Sequence, residues 1–122
     1  MTTRFKEEDI TEGLTGAIHE TGHSLYEQGR NLNEEYIDMP VSSALSMGVH
    51  ESQSLLWERM VALSKPFQSY LLPKLKEAFP KHENIQKMTT DQLYKAINFI
   101  KDPSKIRVEA DEVTYTMHVI LR

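Results

Sequence analysis

The sequence predicts an all-α fold. Apolar residues recur at helical spacing along most of its 122 positions, no stretch alternates apolar and polar residues well enough to compete with that pattern, and prolines and capping residues punctuate the apolar runs. Ile10, Leu14, Ala17, Ile18, Leu25 and Tyr26 follow the helical period and predict a first helix from about Glu12 to Arg30. Gly13, Gly16 and Gly22 would weaken that helix in isolation, so tertiary packing must hold it. Glycine has no Cβ, so these positions allow a neighbouring helix or a substrate backbone to come close. Gly29 reads as the stop of the first helix, Asn31 to Glu34 as a loop, and Pro40 as the next boundary.

A second helix is expected from about Ser43 through Leu45, Val49, Leu56, Met60 and Leu63, with Pro66 ending or kinking it. A third runs through Phe67, Tyr70, Leu71, Leu75 and Phe79 and closes at Pro80. Thr89-Thr90-Asp91 reads as the start of a short helix bearing Leu93, Ile97 and Ile100. Pro103-Ser104 opens a last helix with the apolar spine Ile106, Ala110, Val113, Met117 and Ile120. Trp57 is expected in the core, the six methionines as gap fillers, and His82 on the surface. There is no internal repeat.

Composition narrows the function classes. One domain with 39% hydrophobic and 26% charged residues carries a modest core. The net charge of -4 gives no electrostatic footprint for nucleic acid, and no apolar run is long enough to span a bilayer. The start lacks the apolar stretch of a signal peptide, which makes the cytoplasm the default compartment. With no cysteine, disulfides, thiolate-bound zinc and thiol catalysis are excluded, and any metal must sit on histidines and carboxylates.

One motif supplies such donors. In His19-Glu20-Thr21-Gly22-His23 the two histidines stand four apart, on one face of a helix, and can hold one cation from adjacent turns. Random arrangement of this composition would give the motif with a chance of roughly 2%, which favours a site over two incidental histidines. Glu20 is the candidate general base, taking a proton from the water that a catalytic zinc activates. Two imidazoles leave such a site one protein ligand short. Glu51, from the second helix, completes a two-His, one-Glu set that keeps a position open for water and substrate.

The run Ile18 to Gly29 resembles the metal helix of the Taq-type metallocarboxypeptidases, peptidase family M32. His50-Glu51-Ser52-Gln53-Ser54 with Leu56-Trp57-Glu58 is similar to the family's third-ligand motif. Ile106-Arg107-Val108-Glu109-Ala110-Asp111 resembles its Ile-Arg-x-x-Ala-Asp signature, and Thr114-Tyr115 to His118 continues that match. Thr2-Thr3-Arg4 is similar to the end of a further motif, Asp-x-Arg-x-Thr-Thr-Arg.

The resemblance implies an all-helical enzyme that removes C-terminal residues from peptide substrates with zinc or cobalt, and a homodimer or other self-association. His19, His23 and Glu51 would be the ligands and Glu20 the base. Arg107 either binds the substrate's terminal carboxylate through its guanidinium fork or pairs with an acid such as Asp111. Asp111 is a candidate to orient a ligating histidine. Tyr115 and His118 either donate hydrogen bonds to the tetrahedral intermediate or pack on a helical face. Family members are several times longer, so residues 1–122 are expected to be a single helical segment of a larger catalytic domain, cut at both ends. Two other readings stand beside the enzyme. One is a noncatalytic helical fragment that self-associates and binds metal without turnover; the other is an endopeptidase of another two-His, one-Glu family, which the Ile106 to Asp111 match disfavours.

Overall fold

The computed structural model describes residues 3, 5–7 and 9–99. Its elements are α1 (Ile10–Gln28), a 3-10 turn at Pro40–Ser42, α2 (Met47–Leu55) running on as a π-helix over Leu56–Val61, α3 (Lys65–Ala78), α4 (Glu83–Lys87) and α5 (Thr90–Ile97). Among the described residues the only β pairing is an isolated bridge between Lys6 and Asp9, so the all-α expectation holds. The last helix predicted from Pro103 lies outside the described residues.

Local chemistry sets the helix ends. Asp9 caps α1 by accepting from the Thr11 amide at 2.8 Å, satisfying a donor that the first turn leaves without a carbonyl. Gly29 closes α1 where the sequence places the stop, in a right-handed conformation (φ -82°), its N–H shared between the carbonyls of Leu25 and Tyr26. The second helix starts later than expected. Ser46 is extended and its hydroxyl accepts from the Val49 amide, so the helix begins at Met47 and leaves Leu45 outside and exposed.

The π turn is the departure that matters most for the site. Ala62 donates to the carbonyl of Trp57, five residues back, so one extra residue is accommodated in this turn. Glu58 is turned inward, with 16% of its side chain exposed, while the neighbouring Trp57 stands at the surface. This corrects the expectation of a core Trp57.

Ser64 caps α3 and Pro66 occupies its first turn, where a missing N–H costs nothing. Pro66 therefore opens a helix as well as bounding the one before it. Gln86, from the unpredicted short α4, donates to the terminal carbonyls of Lys76 and Phe79. His82, just ahead of α4, is exposed as expected. Thr89 and Gln92 form a reciprocal capping box at α5.

Two helical layers result. α1 packs on α2 and its π continuation, and α3 packs on α5 with α4 at its end. Ala62, Leu71, Leu72 and Leu93 form the buried apolar core. The buried Gln68 donates to the Ala62 carbonyl at 2.5 Å, fastening the end of the π turn to α3.

Candidate metal centre

The site begins with a glycine. A Cβ on Gly22 would stand 2.6 Å from Ser54 Cα and 2.9 Å from the Gln53 carbonyl oxygen, so the backbones of α1 and α2 touch here. Of the two close approaches the sequence allows, helix or substrate, the structure shows a helix. Gly22 lies one residue before His23, and Ser54 three after Glu51. The contact therefore brings His19 and His23 against His50 and Glu51.

His19, His23 and Glu51 each offer a ligand atom within 4.8 Å of the others. The Nε2 atoms of His19 and His23 are 3.1 Å apart. Glu51 faces both, with Oε2 3.2 Å from His23 Nε2 and Oε1 3.7 Å from His19 Nε2. Tetrahedral zinc with bonds of about 2.0–2.1 Å sets its ligands roughly 3.3 Å apart, so the imidazole separation already suits such an ion. The donor chemistry points the same way. His19 Nδ1 is 2.7 Å from Glu58 Oε2, and an ionised carboxylate only accepts, so the proton of a neutral His19 is on Nδ1 and Nε2 is a bare lone pair. A lone pair and a carboxylate converging on one point call for a cation, and the set fits a divalent one.

Further groups contact the candidate ligands. Glu58 is held by Arg59, whose Nε lies 3.1 Å from Oε1. On the other side, His23 Nδ1 is 2.7 Å from His50 Nδ1, and His50 Nε2 is 2.8 Å from Glu27 Oε1. The Tyr26 ring meets His50 edge-on at 4.7 Å. The sequence reading assigned no role to Glu58, His50 or Glu27. Glu58 lies seven residues, about two turns, after Glu51, which hints at a shared face, but the π turn that aims it has no clear sequence signature.

Glu20 is half-buried beside His19 in the chain. Among the described residues its carboxylate makes no hydrogen bond or ion pair; its backbone carbonyl accepts from Ser24. An open pocket of about 550 Å³ lies near the end of α1, lined by Tyr26, Arg30, Val41, Leu45 and Gln53 among others, and none of the three metal donors lines it. Arg107, Asp111, Tyr115 and His118 lie outside the described residues, as do Thr2 and Arg4. No helix among the described residues is long and apolar enough to cross a membrane.

The model of the carboxypeptidase Taq (M32) metallopeptidase family matches residues 1–122. The chain is 42% identical to the Thermostable carboxypeptidase 1 of Thermus thermophilus, 43% to Carboxypeptidase 1 of Bacillus subtilis and 38% to the Thermostable carboxypeptidase 1 of Pyrococcus furiosus. Each match covers 100% of this chain and 23% of the relative, so the chain spans about a quarter of the length of these proteins. No solved structure matches it at a significant level.

Proposed function

The chain belongs to the carboxypeptidase Taq (M32) metallopeptidase family, and from that premise we propose that it carries the metal-binding portion of a carboxypeptidase site, with His19, His23 and Glu51 as ligands and Glu20 as general base. The observation that carries the reading is the meeting of three donor atoms from two helices at ligand-to-ligand distances. A divalent ion held there, zinc or cobalt, would polarise the scissile carbonyl and lower the pKa of a water molecule. The residues do the rest. His19 presents Nε2 because Glu58 holds its Nδ1 proton, and Glu51 would offset part of the charge of an ion held there. Among the described residues no partner of the Glu20 carboxylate has to be displaced before it takes a proton and hands it to the leaving amine. In this reading Arg107 binds the terminal carboxylate of the peptide, with Asp111, Tyr115 and His118 as candidate supporting groups. Peptide substrates, self-association and a cytoplasmic location belong to the same proposal.

A noncatalytic fragment that binds metal is the second reading, and it is favoured by the large apolar side chains left exposed, among them Leu45, Met47 and Met60. The deciding experiment incubates the zinc-loaded chain with N-blocked peptides and follows the products by mass spectrometry. Stepwise loss of C-terminal residues, abolished by a chelator, is the expected result. Tight zinc binding with no residue released would establish the noncatalytic alternative, and internal cleavage would mark an endopeptidase.

A further inference from the structure

We infer that His50 is a positioning residue for the metal, accepting the Nδ1 proton of His23 and passing the constraint through Glu27 and Arg30 to the backbone. The inference rests on His23 being a ligand and extends that reading to a histidine which it leaves without a role.

The proton count decides the direction of each bond. His50 Nε2 lies 2.8 Å from Glu27 Oε1, and a carboxylate can only accept, so His50 carries a proton on Nε2. A neutral imidazole has one N–H, which leaves His50 Nδ1 as an acceptor. That atom is 2.7 Å from His23 Nδ1, a separation that requires one proton between them, and the proton then belongs to His23. His23 Nε2 is left bare; it faces Glu51 and lies 3.1 Å from His19 Nε2, which is bare as well because Glu58 takes the His19 proton at Nδ1, so two lone pairs and a carboxylate meet where a cation would sit. The far end is anchored. Glu27 Oε2 pairs with Arg30 Nη2 at 2.7 Å, and Arg30 Nη1 donates to the carbonyl of the buried Ser42 at 2.8 Å. The His50 side chain is only 14% exposed and its ring is backed by Tyr26, so its orientation is held by packing as well as by hydrogen bonds. Support of this kind fixes the tautomer and orientation of a metal-binding histidine and typically affects metal affinity by about 10–100-fold.

The test uses the full chain, labelled with 15N at histidine, and reads the tautomer of His50 from two-bond 1H–15N spectra near pH 8, where free imidazoles are about neutral. Spectra are taken without metal and with zinc. His50 is expected as the Nε2–H tautomer in both. Zinc affinity, measured by competition with a chromophoric chelator, is expected to fall about 10–100-fold in His50→Phe. It should recover to within a few-fold of wild type in His50→Asn, whose amide oxygen can stand where Nδ1 stood. A packing role alone would be served by Phe and would not favour Asn. An Nδ1–H tautomer at His50, or unchanged affinity in His50→Phe, would overturn the inference. If His50→Phe loses its helical circular dichroism, the tautomer and the Asn variant decide. Wild-type chain that binds no zinc would instead sink the metal reading, and the metal-free tautomer would still settle the hydrogen-bond directions.

Discussion

Gly22 of α1 and Ser54 of α2 meet backbone to backbone, and a side chain at residue 22 would occupy space already filled by Ser54 Cα and the Gln53 carbonyl. Two effects oppose each other in Gly22→Ala. Alanine favours the helix by up to about 1 kcal/mol, whereas overpacking a close contact costs about 1–3 kcal/mol. The atoms in the way are backbone and cannot rotate aside, so the clash should win. The variant should unfold at lower urea concentration than wild type and bind zinc more weakly, because the same contact sets the distance between the histidines and Glu51. Gly48→Ala is the control. A Cβ there meets nothing nearer than Ser46 Oγ at 3.8 Å, so that variant should be unchanged or slightly more stable. Equal stability of the two variants would remove Gly22 from its role.

Glu58 supports His19 as the carboxylate that accepts its Nδ1 proton. Glu58→Ala should lower zinc affinity by about 10–100-fold, because His19 loses the partner that fixes its tautomer. Glu58→Gln keeps an acceptor oxygen without the charge and should fall between wild type and alanine. Calorimetric zinc titration of the three proteins checks the order. An alanine variant with wild-type affinity would show that the metal alone orients His19.

Much of this was legible from sequence, and the rest was hidden for identifiable reasons. The i, i+4 pair His19 and His23 follows from helix geometry, and Glu51 follows from what a three-ligand site lacks. The helix start at Thr89 and the stop at Gly29 are local chemistry, readable from a few neighbours. Glu58 and His50 gain their roles only when α1 and α2 pack, and the π turn that aims Glu58 inward breaks the regular spacing from which faces are inferred. The same turn defeated the placement of Trp57. The start of α2 was missed because apolar spacing extends upstream through Leu45, while the hydroxyl of Ser46 sets the helix boundary.

Away from the metal, Lys65 and Asp91 form an ion pair of 2.6 Å between α3 and α5. The hydrogen bond to Lys65, and then its charge, hold the Asp91 carboxyl below its ordinary pKa; the same pair of effects holds Lys65 above its own. The depressed carboxyl contributes stability that is present above its unfolded pKa and lost as pH falls through the folded one. The raised amine contributes stability that is present below its unfolded pKa and lost as pH rises through the folded one. The pair therefore acts across the neutral range and fades at both extremes. Both side chains are well exposed, so the effect is small and screened by salt. Asp91→Asn should lower the urea midpoint slightly at pH 7, and the difference should close in acid. A difference that grew in acid would contradict the assignment.

Glu20 and Glu51 are both acidic residues beside a histidine motif, yet their variants should separate binding from turnover. Glu51 stands 3.2 Å from His23 Nε2, so Glu51→Ala removes the proposed third ligand and should weaken zinc binding, with turnover falling as a consequence. Glu20 has no hydrogen-bond or ion-pair partner at its carboxylate among the described residues. Glu20→Gln should leave zinc stoichiometry and affinity close to wild type and reduce release of C-terminal residues by at least about 100-fold, the lower range of what a positioned acid–base group contributes. The pair of measurements matters more than either alone. Loss of activity with loss of metal in Glu20→Gln would make Glu20 a structural or ligating group, and full activity with metal retained would remove it from proton transfer altogether.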